Sequence, residues 1–548
     1  MKHDRPDFPL LTLRDRVRRE GPLDAGAARR FALELGLPAA EVRGTVSYYA
    51  DLHSRPDGPR VCRGTSCALS GADELYRRLS AKGPCEGVYC AGYCDRSPAV
   101  LRPDGTVVAD CDVETAESLF AAPASASAAP SIRSLVGEPI VTARISRGDH
   151  STLERARAAG VYEGLAAALR RGPSEILEAM ERSGERGRGG AAYPTGTKWR
   201  VCATTETDMR FVIANGDEGD PGSFIDRALM EEDPHAVLEG LAICAYAVGA
   251  KRGIVFIRSE YPRAQERVET AVGDARRAGI LGERSLGSDF AFDVTVFPGM
   301  GSYVCGEETA MLNAIEGRRG EVRLRPPYPA VAGLHGKPTV IDNVETLVNV
   351  PWIMLRGAEA FAALGTAESS GTKALCLNRG FERPGILEVE FGTSLRMVIE
   401  EAGGGGRDGK PLAAVLLGGP MGSVLLPPAW DVPVCYAAMA QRGIQLGHGG
   451  IVAVPHDTDF AALLRHWLAF MRDESCGKCV PCGIGSRRAA DLAKNLHRAD
   501  ARELLLRLCD VMHDGSLCAF GQLLPGPIRE LIEHFGEAIF SEPSDETA

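Results

Sequence analysis

The chain has no apolar run long enough to cross a bilayer, which takes about 20 residues; the most apolar stretch, residues 241–250, falls far short. Its start, MKHDRPDFPL, lacks the basic-then-apolar order of a secretory signal. Both absences lead us to expect a cytoplasmic protein with no direct membrane insertion. Positive charge is not in excess either: the net charge is -11, and the early arginines (Arg14, Arg16, Arg18, Arg19, Arg29, Arg30) are interrupted by acids, as on a solvated helix face. No nucleic-acid partner is expected. No repeat of fixed period is present, and no segment offers a site for molybdenum, tungsten, nickel or a quinone.

What is present is length and cysteine. At 548 residues the chain exceeds one core, and 45% hydrophobic with 25% charged residues is enough for most of it to fold. Residues 1–54 read as a helical lead-in of short amphipathic helices. Residues 55–120 combine short strands with the helix GADELYRRLSAKG in a small α/β unit. Residues 121–132, which include AAPASASAAPS, hold almost nothing that packs a core and read as a linker. Residues 133–360 alternate helices with the strands RFVIAN, GIVFIR and FDVTVF, the pattern of a doubly wound sheet. Residues 368–456 suit a small mixed sheet, and residues 457–548 are helical.

Sixteen cysteines in a reducing compartment point to metal rather than disulfides. Cys476, Cys479 and Cys482 stand in one run, SCGKCVPCG, with Cys518 after a helical stretch. Three thiolates from one loop and a distant fourth suit a 4Fe-4S cube; zinc with four cysteines more often pairs two separate hooks. Cys509 falls on an apolar helical stripe and reads as core. Near the other end, Cys62 and Cys67 form one hook and Cys90 and Cys94 a second, which suits either a 2Fe-2S rhomb or zinc. Cys85 and Cys111 read as bystanders, although Cys85 is near enough to Cys90 to substitute for it.

The segment SGERGRGGAAYPTGTKW brings glycines that let backbone amides approach a phosphate, and Arg188 and Lys198 could offset its charge. Gly187 to Ala192 fits G-x-G-x-x-A, but the loop follows a helix where a dinucleotide fingerprint follows a strand. A plain surface loop is the alternative. Asp217, Glu218 and Asp220 follow RFVIAN, and Glu307 and Glu308 stand in GSYVCGEETA, both beyond expected strands where open α/β sheets bind ligands. Carboxylates there could accept ribose hydroxyls.

These segments, with RLRPPYPAVAGLHGKPTVIDNVETL, ESCGKCVPC and SLCAFG, resemble the NADH-binding flavoprotein subunit shared by respiratory complex I, NAD-linked formate dehydrogenases and NAD-reducing hydrogenases. The likeness covers about residues 135–548, and residues 9–115 resemble that family's smaller thioredoxin-like 2Fe-2S partner, here fused. The resemblance implies a multi-domain α/β protein: a thioredoxin-like 2Fe-2S domain, a Rossmann-like FMN and NADH domain, a ubiquitin-like domain and a C-terminal helical 4Fe-4S bundle. It places FMN against Gly187, Gly189, Gly190, Lys198, Asn215, Asp217, Asn343 and Thr346, and counts Arg188, Ile341 and Asp342 among the cofactor-binding residues. It assigns NAD(H) to Glu218, Asp220, Tyr303, Gly306, Glu307 and Glu308, with Arg325 and Tyr328 nearby. The family usually has Lys at position 325, aromatics at positions 193 and 201, a pair of asparagines where Asp342-Asn343 stands, and a longer gap between Cys67 and Cys90. Tyr193 keeps a ring to stack on adenine, and Val201 does not.

The expected activity is hydride exchange between NAD(H) and FMN, with single electrons passing through one 4Fe-4S and one 2Fe-2S cluster to a partner. No side-chain acid or base is required. The resemblance favours, by the fusion, the beta subunit of a soluble NAD-dependent formate dehydrogenase, whose partner is a molybdenum- or tungsten-pterin large subunit. A hydrogenase diaphorase or a complex I subunit is the alternative, and a non-catalytic iron-sulfur or zinc scaffold is the reading from another class.

Overall fold

Phe211–Gly216, Arg252–Ile257 and Thr339–Asn343 are near-continuous apolar runs, as strands buried on both faces must be, and a computed structural model places them in one parallel sheet. The structure describes residues 8–541 except 22, 54–57, 113 and 115–127, so most of the expected linker and both chain ends lie outside the described residues. The strand order is Asp293–Pro298, Arg252–Ile257, Phe211–Gly216, Thr339–Asn343. Alternate side chains part to opposite faces. Val212, Ala214, Val255 and Ile257 meet the helices Pro234–Val248, Pro262–Arg277 and Val344–Arg356.

The opposite face is covered by a part of the chain whose role its own pattern did not disclose. Phe211, Ile213, Ile254, Phe256 and Phe297 share a core with Leu10, Leu13, Val17, Phe31, Val42, Val46 and Leu52 from the lead-in. Its helices are Pro9–Glu20, Ala25–Leu35, Ala39–Tyr48 and Ala50–His53. The Asp24 carboxylate accepts from Ala27 N to start the second, and Gly36 in the left-handed region (φ 62°) ends it. The lead-in therefore completes the cofactor domain's sheet, although in sequence it adjoins the cysteine module.

That module is a four-stranded sheet in the order Glu86–Val88, Arg60–Cys62, Val100–Leu101, Val107–Val108, parallel in its first pair and antiparallel after it. The helix Ala72–Ser80 buries Leu75 and Leu79 against it. A six-stranded mixed sheet runs Ser423–Leu425, Leu412–Leu417, Gly450–Pro455, Thr372–Leu377, Gly385–Glu390, Ile132–Ser134. Its edge strand corrects the expected boundary: Ile132 pairs with Ile386 and Ser134 with Glu388, so the junction of linker and cofactor domain belongs to the ubiquitin-like sheet. Glu388 fastens the next residues, accepting from the backbone N–H groups of Ile140, Val141 and Thr142. The C-terminal unit packs Phe460–Glu474, Val480–Leu492, Ala501–Gly515, Ala519–Leu523 and Pro525–Phe540 around Leu464, Leu505 and Ile528.

Candidate functional site

The glycine segment is a closed hairpin between the helices Pro173–Ser183 and Thr195–Thr204: Thr195 N donates to Glu185 O and Gly187 N to Tyr193 O, each at 2.9 Å. Its tip needs to be bare. A Cβ on Gly189 would stand 3.1 Å from Asn343 Cβ, and one on Gly190 (φ 113°) 3.3 Å from the backbone of Gly447. The tip thus lies against the carboxyl end of the strand Thr339–Asn343, where open parallel sheets take ligands. Lys198 Nζ reaches the same strand end, bonding Ile341 O and Asp342 Oδ1 at 2.8 Å each. Asp342 also accepts from Trp199 Nε1 at 2.6 Å. Asn343 caps the following helix through Glu345 N and Thr346 N. Asn215 Nδ2 donates to Gly306 O at 2.9 Å, and Asn215 Oδ1 accepts from Asp217 N, which ties two of the loops together.

The Arg188 side chain is engaged inside the protein. Its guanidinium is fully buried, pairs with Glu185, donates to Ser370 O at 2.9 Å and lies 4.7 Å from the Phe391 ring centre. Its backbone N–H bonds Thr346 Oγ1 at 2.8 Å. Its pairing with Glu185 anchors the hairpin to the segment around Ser370, while Lys198, itself paired with Asp342, stands at the sheet end.

The acids also divide. Glu218 is 3% exposed, and its carboxylate accepts from Asp226 N and Arg227 N at 3.2 and 3.0 Å. Asp220 Oδ1 accepts from Tyr303 OH at 2.5 Å. Glu307 caps the helix Glu308–Ile315 through Thr309 N and Ala310 N, and Glu308 pairs with Arg325 at 3.0 Å. Arg325 stands 5.9 Å from the centre of the Tyr328 ring, which is 57% exposed. Glu218, Asp220 and Glu308 thus each have a partner inside the protein, and Glu307 keeps one carboxylate oxygen without a hydrogen bond.

Glu218 instead belongs to a buried group that the sequence pattern did not reveal. His448 stands 3.4 Å from Glu218, 3.2 Å from Asp226 and 3.2 Å from Asn343 Nδ2, and is 4% exposed. Neither His448, a lone histidine among glycines, nor Asp226, one acid in a helix, carried a spacing signal; only the fold joins them. Burial opposes the imidazolium, but Asp226 and Glu218 prevail over it and over nearby Lys373, raising His448 to about 9. Burial, with Asp226 beside it, raises Glu218 to about 7. Both folded values lie above the unfolded ones, so this stabilisation is complete at low pH and is lost as pH rises through them. Thermal unfolding should show a loss on the order of 3 kcal/mol between pH 6.5 and about 9, and His448→Gln should flatten that slope. A slope unchanged by the substitution would remove His448 as its source.

The C-terminal thiols Cys476, Cys479, Cys482 and Cys518 converge, and all but Cys479 are buried. Ser475 Oγ lies 3.2 Å from Cys482 Sγ. Burial raises Cys482 to about 12 and Cys518 to about 11, so a bound cluster must displace protons. Four soft thiolate donors without a competing oxygen ligand fit a 4Fe-4S cluster. Cys509 is core, as expected. At the other site Cys90 and Cys94 have sulfurs 3.7 Å apart, Ala91 N donates to Cys62 Sγ at 3.3 Å, and Gly222 N donates to Cys94 Sγ at 3.3 Å. Cys67 bonds Cys62. Backbone N–H groups aimed at ligand sulfur are a feature of iron-sulfur sites, and the quartet fits a 2Fe-2S cluster. Cys85 turns toward Glu86 O and Cys111 toward Val108 O, so both remain bystanders.

The second quartet sits at a junction. Cys90 Sγ lies 3.8 Å from Asp220 O, Arg227 Nε donates to Gly92 O, Arg379 N donates to Cys94 O, and Tyr89 OH donates to Asp473 Oδ2 at 3.0 Å. It touches the cofactor, ubiquitin-like and C-terminal units together.

Three families match the chain: the Nuo51 FMN-binding domain over residues 180–352, the NADH-ubiquinone oxidoreductase-F iron-sulfur binding region over 462–541, and the thioredoxin-like 2Fe-2S ferredoxin over 4–123. The chain is 44% identical to the HndC subunit of the NADP-reducing hydrogenase of Solidesulfovibrio fructosivorans over 68% of its own length and 77% of that protein. It is 39% identical to the F 2 subunit of the NADH-quinone oxidoreductase of Rhizobium meliloti (strain 1021), over 73% and 96%. A chain in the crystal structure of the NAD+-reducing NiFe hydrogenase in the hydrogen-reduced state superposes with TM-score 0.83 at 29% identity, covering 99% of this chain and 94% of that one.

Proposed function

The chain belongs to the family of FMN-binding, iron-sulfur NADH dehydrogenase subunits, and from that premise we propose that it is the NAD-linked half of a cytoplasmic two-part enzyme whose catalytic large subunit oxidises formate. The observation that carries the NAD-linked half of this reading is the bare glycine hairpin against Lys198 and Asn343 at the carboxyl ends of a parallel sheet, together with two four-thiol sites, one of them packed on Asp220 and Gly222. FMN, when bound, supplies the conversion between a hydride pair and the single electrons that iron-sulfur clusters accept. The chain's own residues position. The hairpin amides and Lys198 suit a phosphate, Asn343 and Asn215 hold the strand ends, and Tyr303, Glu307, Glu308, Arg325 and Tyr328 border the nucleotide. The hydrogenase partner is the second reading; the near full-length likeness to a chain of the NAD+-reducing NiFe hydrogenase favours it.

The purified chain is expected to oxidise NADH with an artificial acceptor and to leave formate and hydrogen untouched. Turnover of either by the chain alone would sink the two-part reading, and the large subunit that co-purifies with it decides between the two partners. Glu307 and Glu308 would repel the additional phosphate of NADP, so NADPH should be oxidised at least about ten-fold less efficiently than NADH. Glu308→Gln should raise the KM for NADH by about three- to ten-fold and leave bound FMN unchanged. Equal loss of flavin and of NADH oxidation would remove Glu308 from the nucleotide side.

A further inference from the structure

Residues 302–328 carry Tyr303, Glu307, Glu308, Arg325 and Tyr328, and the end of the lead-in helix Ala39–Tyr48, with the residue after it, grips this segment at two points. Tyr48 OH stands 3.0 Å from Ser302 Oγ and donates to Gly320 O at 2.9 Å. Tyr49 OH donates to Arg318 O at 2.8 Å, and Asp51 N donates to Met300 O just ahead of the segment. The fit is close. A Cβ on Gly301 (φ 75°) would lie 3.1 Å from Ala50 Cβ, and one on Gly320 would lie 2.5 Å from Cys305 Sγ and 3.3 Å from Tyr49 OH. The Tyr48 and Tyr49 rings meet edge to face at 4.9 Å, and the Arg319 guanidinium lies 5.1 Å from the Tyr48 ring centre.

Inside the segment the parts are already joined. Asn313 Nδ2 donates to Glu321 O, Arg323 N to Thr309 Oγ1 and Arg323 Nε to Asn313 Oδ1, so the helix Glu308–Ile315 and the arm that leads to Arg325 form one piece. What the tyrosine hydroxyls fix is the seat of that piece on the sheet. Burial holds both phenols well above the usual range, so they remain donors at any ordinary pH.

We propose that Tyr48 and Tyr49 are positioning residues of the nucleotide site: by holding Ser302, Arg318 and Gly320 they seat the segment that contacts NAD(H), and the lead-in thereby sets nucleotide affinity. This rests on the nucleotide reading given above. Removing the hydroxyls takes a donor from two part-buried carbonyls and lets the piece shift against the hairpin. The hairpin contacts, which neither tyrosine touches, stay as they are.

The test uses the full chain loaded with FMN and iron, with Tyr48→Phe/Tyr49→Phe keeping both rings. Calorimetric binding of ADP-ribose, which reads the site without turnover, should weaken by about ten-fold, and the KM for NADH should rise in parallel while kcat changes by less than about two-fold. FMN and iron content should match the wild type. Tyr48→Phe alone should give about a three-fold loss, and it decides the matter if the double variant does not hold flavin. A lower melting temperature with unchanged ADP-ribose affinity would show a mere structural brace and overturn the proposal. Wild-type protein that fails to bind ADP-ribose would overturn the nucleotide reading, and the proposal with it.

Discussion

Lys373→Met is expected to make the strand Thr372–Leu377 exchange its amide hydrogens at least about a hundred-fold faster, the counterpart of the roughly 3–5 kcal/mol typical of breaking a buried ion pair on one side. Lys373 pairs with Glu345, and both side chains are fully buried. Glu345 also accepts from Ala374 N at 3.0 Å. Burial works against the Lys373 ammonium, and Glu345 more than restores it, so the lysine stays charged. Glu345 lies in the first turn of the helix that Asn343 caps, and Gly449, next to His448, runs close over the lysine chain. Losing the cation strands a carboxylate between the ubiquitin-like sheet and the helix behind the hairpin. Lys373→Met/Glu345→Leu should recover most of the protection, since removing both charges removes the uncompensated burial. Exchange mass spectrometry of peptides spanning 372–377 reads both outcomes, and a double variant no better protected than the single one would place the loss in packing.

What the sequence made legible followed from local rules. Parallel strands are apolar throughout, so RFVIAN and GIVFIR announced themselves, and the spacing of the C-terminal cysteines pointed to iron-sulfur chemistry, whereas that of the N-terminal hooks left zinc open. What escaped was pairing over distance. An amphipathic helix shows that it has an apolar face but not what that face covers, so the lead-in's docking on Phe256 and Phe297 was invisible. Ile132–Ser134 is short and half polar, and its partner strand lies far along the chain. Residue type also did not disclose the internal partners of Arg188, which pairs with Glu185, or of Glu218, whose carboxylate accepts from the next helix. In both cases the charge is compensated inside the protein, which composition cannot reveal.

Cys94→Ser should lower the iron content from about six to about four per chain, the difference between a protein holding both cluster types and one holding the cubane alone. The sulfur of Cys94 accepts from Gly222 N at 3.3 Å and lies 3.7 Å from Cys90, so the substitution removes one corner of a quartet and one of its backbone hydrogen bonds together. The 2Fe-2S signal in electron paramagnetic resonance of the reduced protein should vanish. The hairpin, Lys198 and Asn343 are untouched, so FMN should stay bound, and NADH oxidation by artificial acceptors should remain within about two-fold of the wild type because those acceptors can take electrons without that cluster. The hooks alone also suit zinc, and the metal content separates the cases. Wild-type protein with about four irons and one zinc would make residues 55–120 a docking module, since zinc has no redox chemistry to offer a flavin domain. About six irons, falling to about four on Cys94→Ser with FMN retained, would establish a redox centre at the junction where Asp220, Arg227, Arg379 and Asp473 meet the loop 89–94.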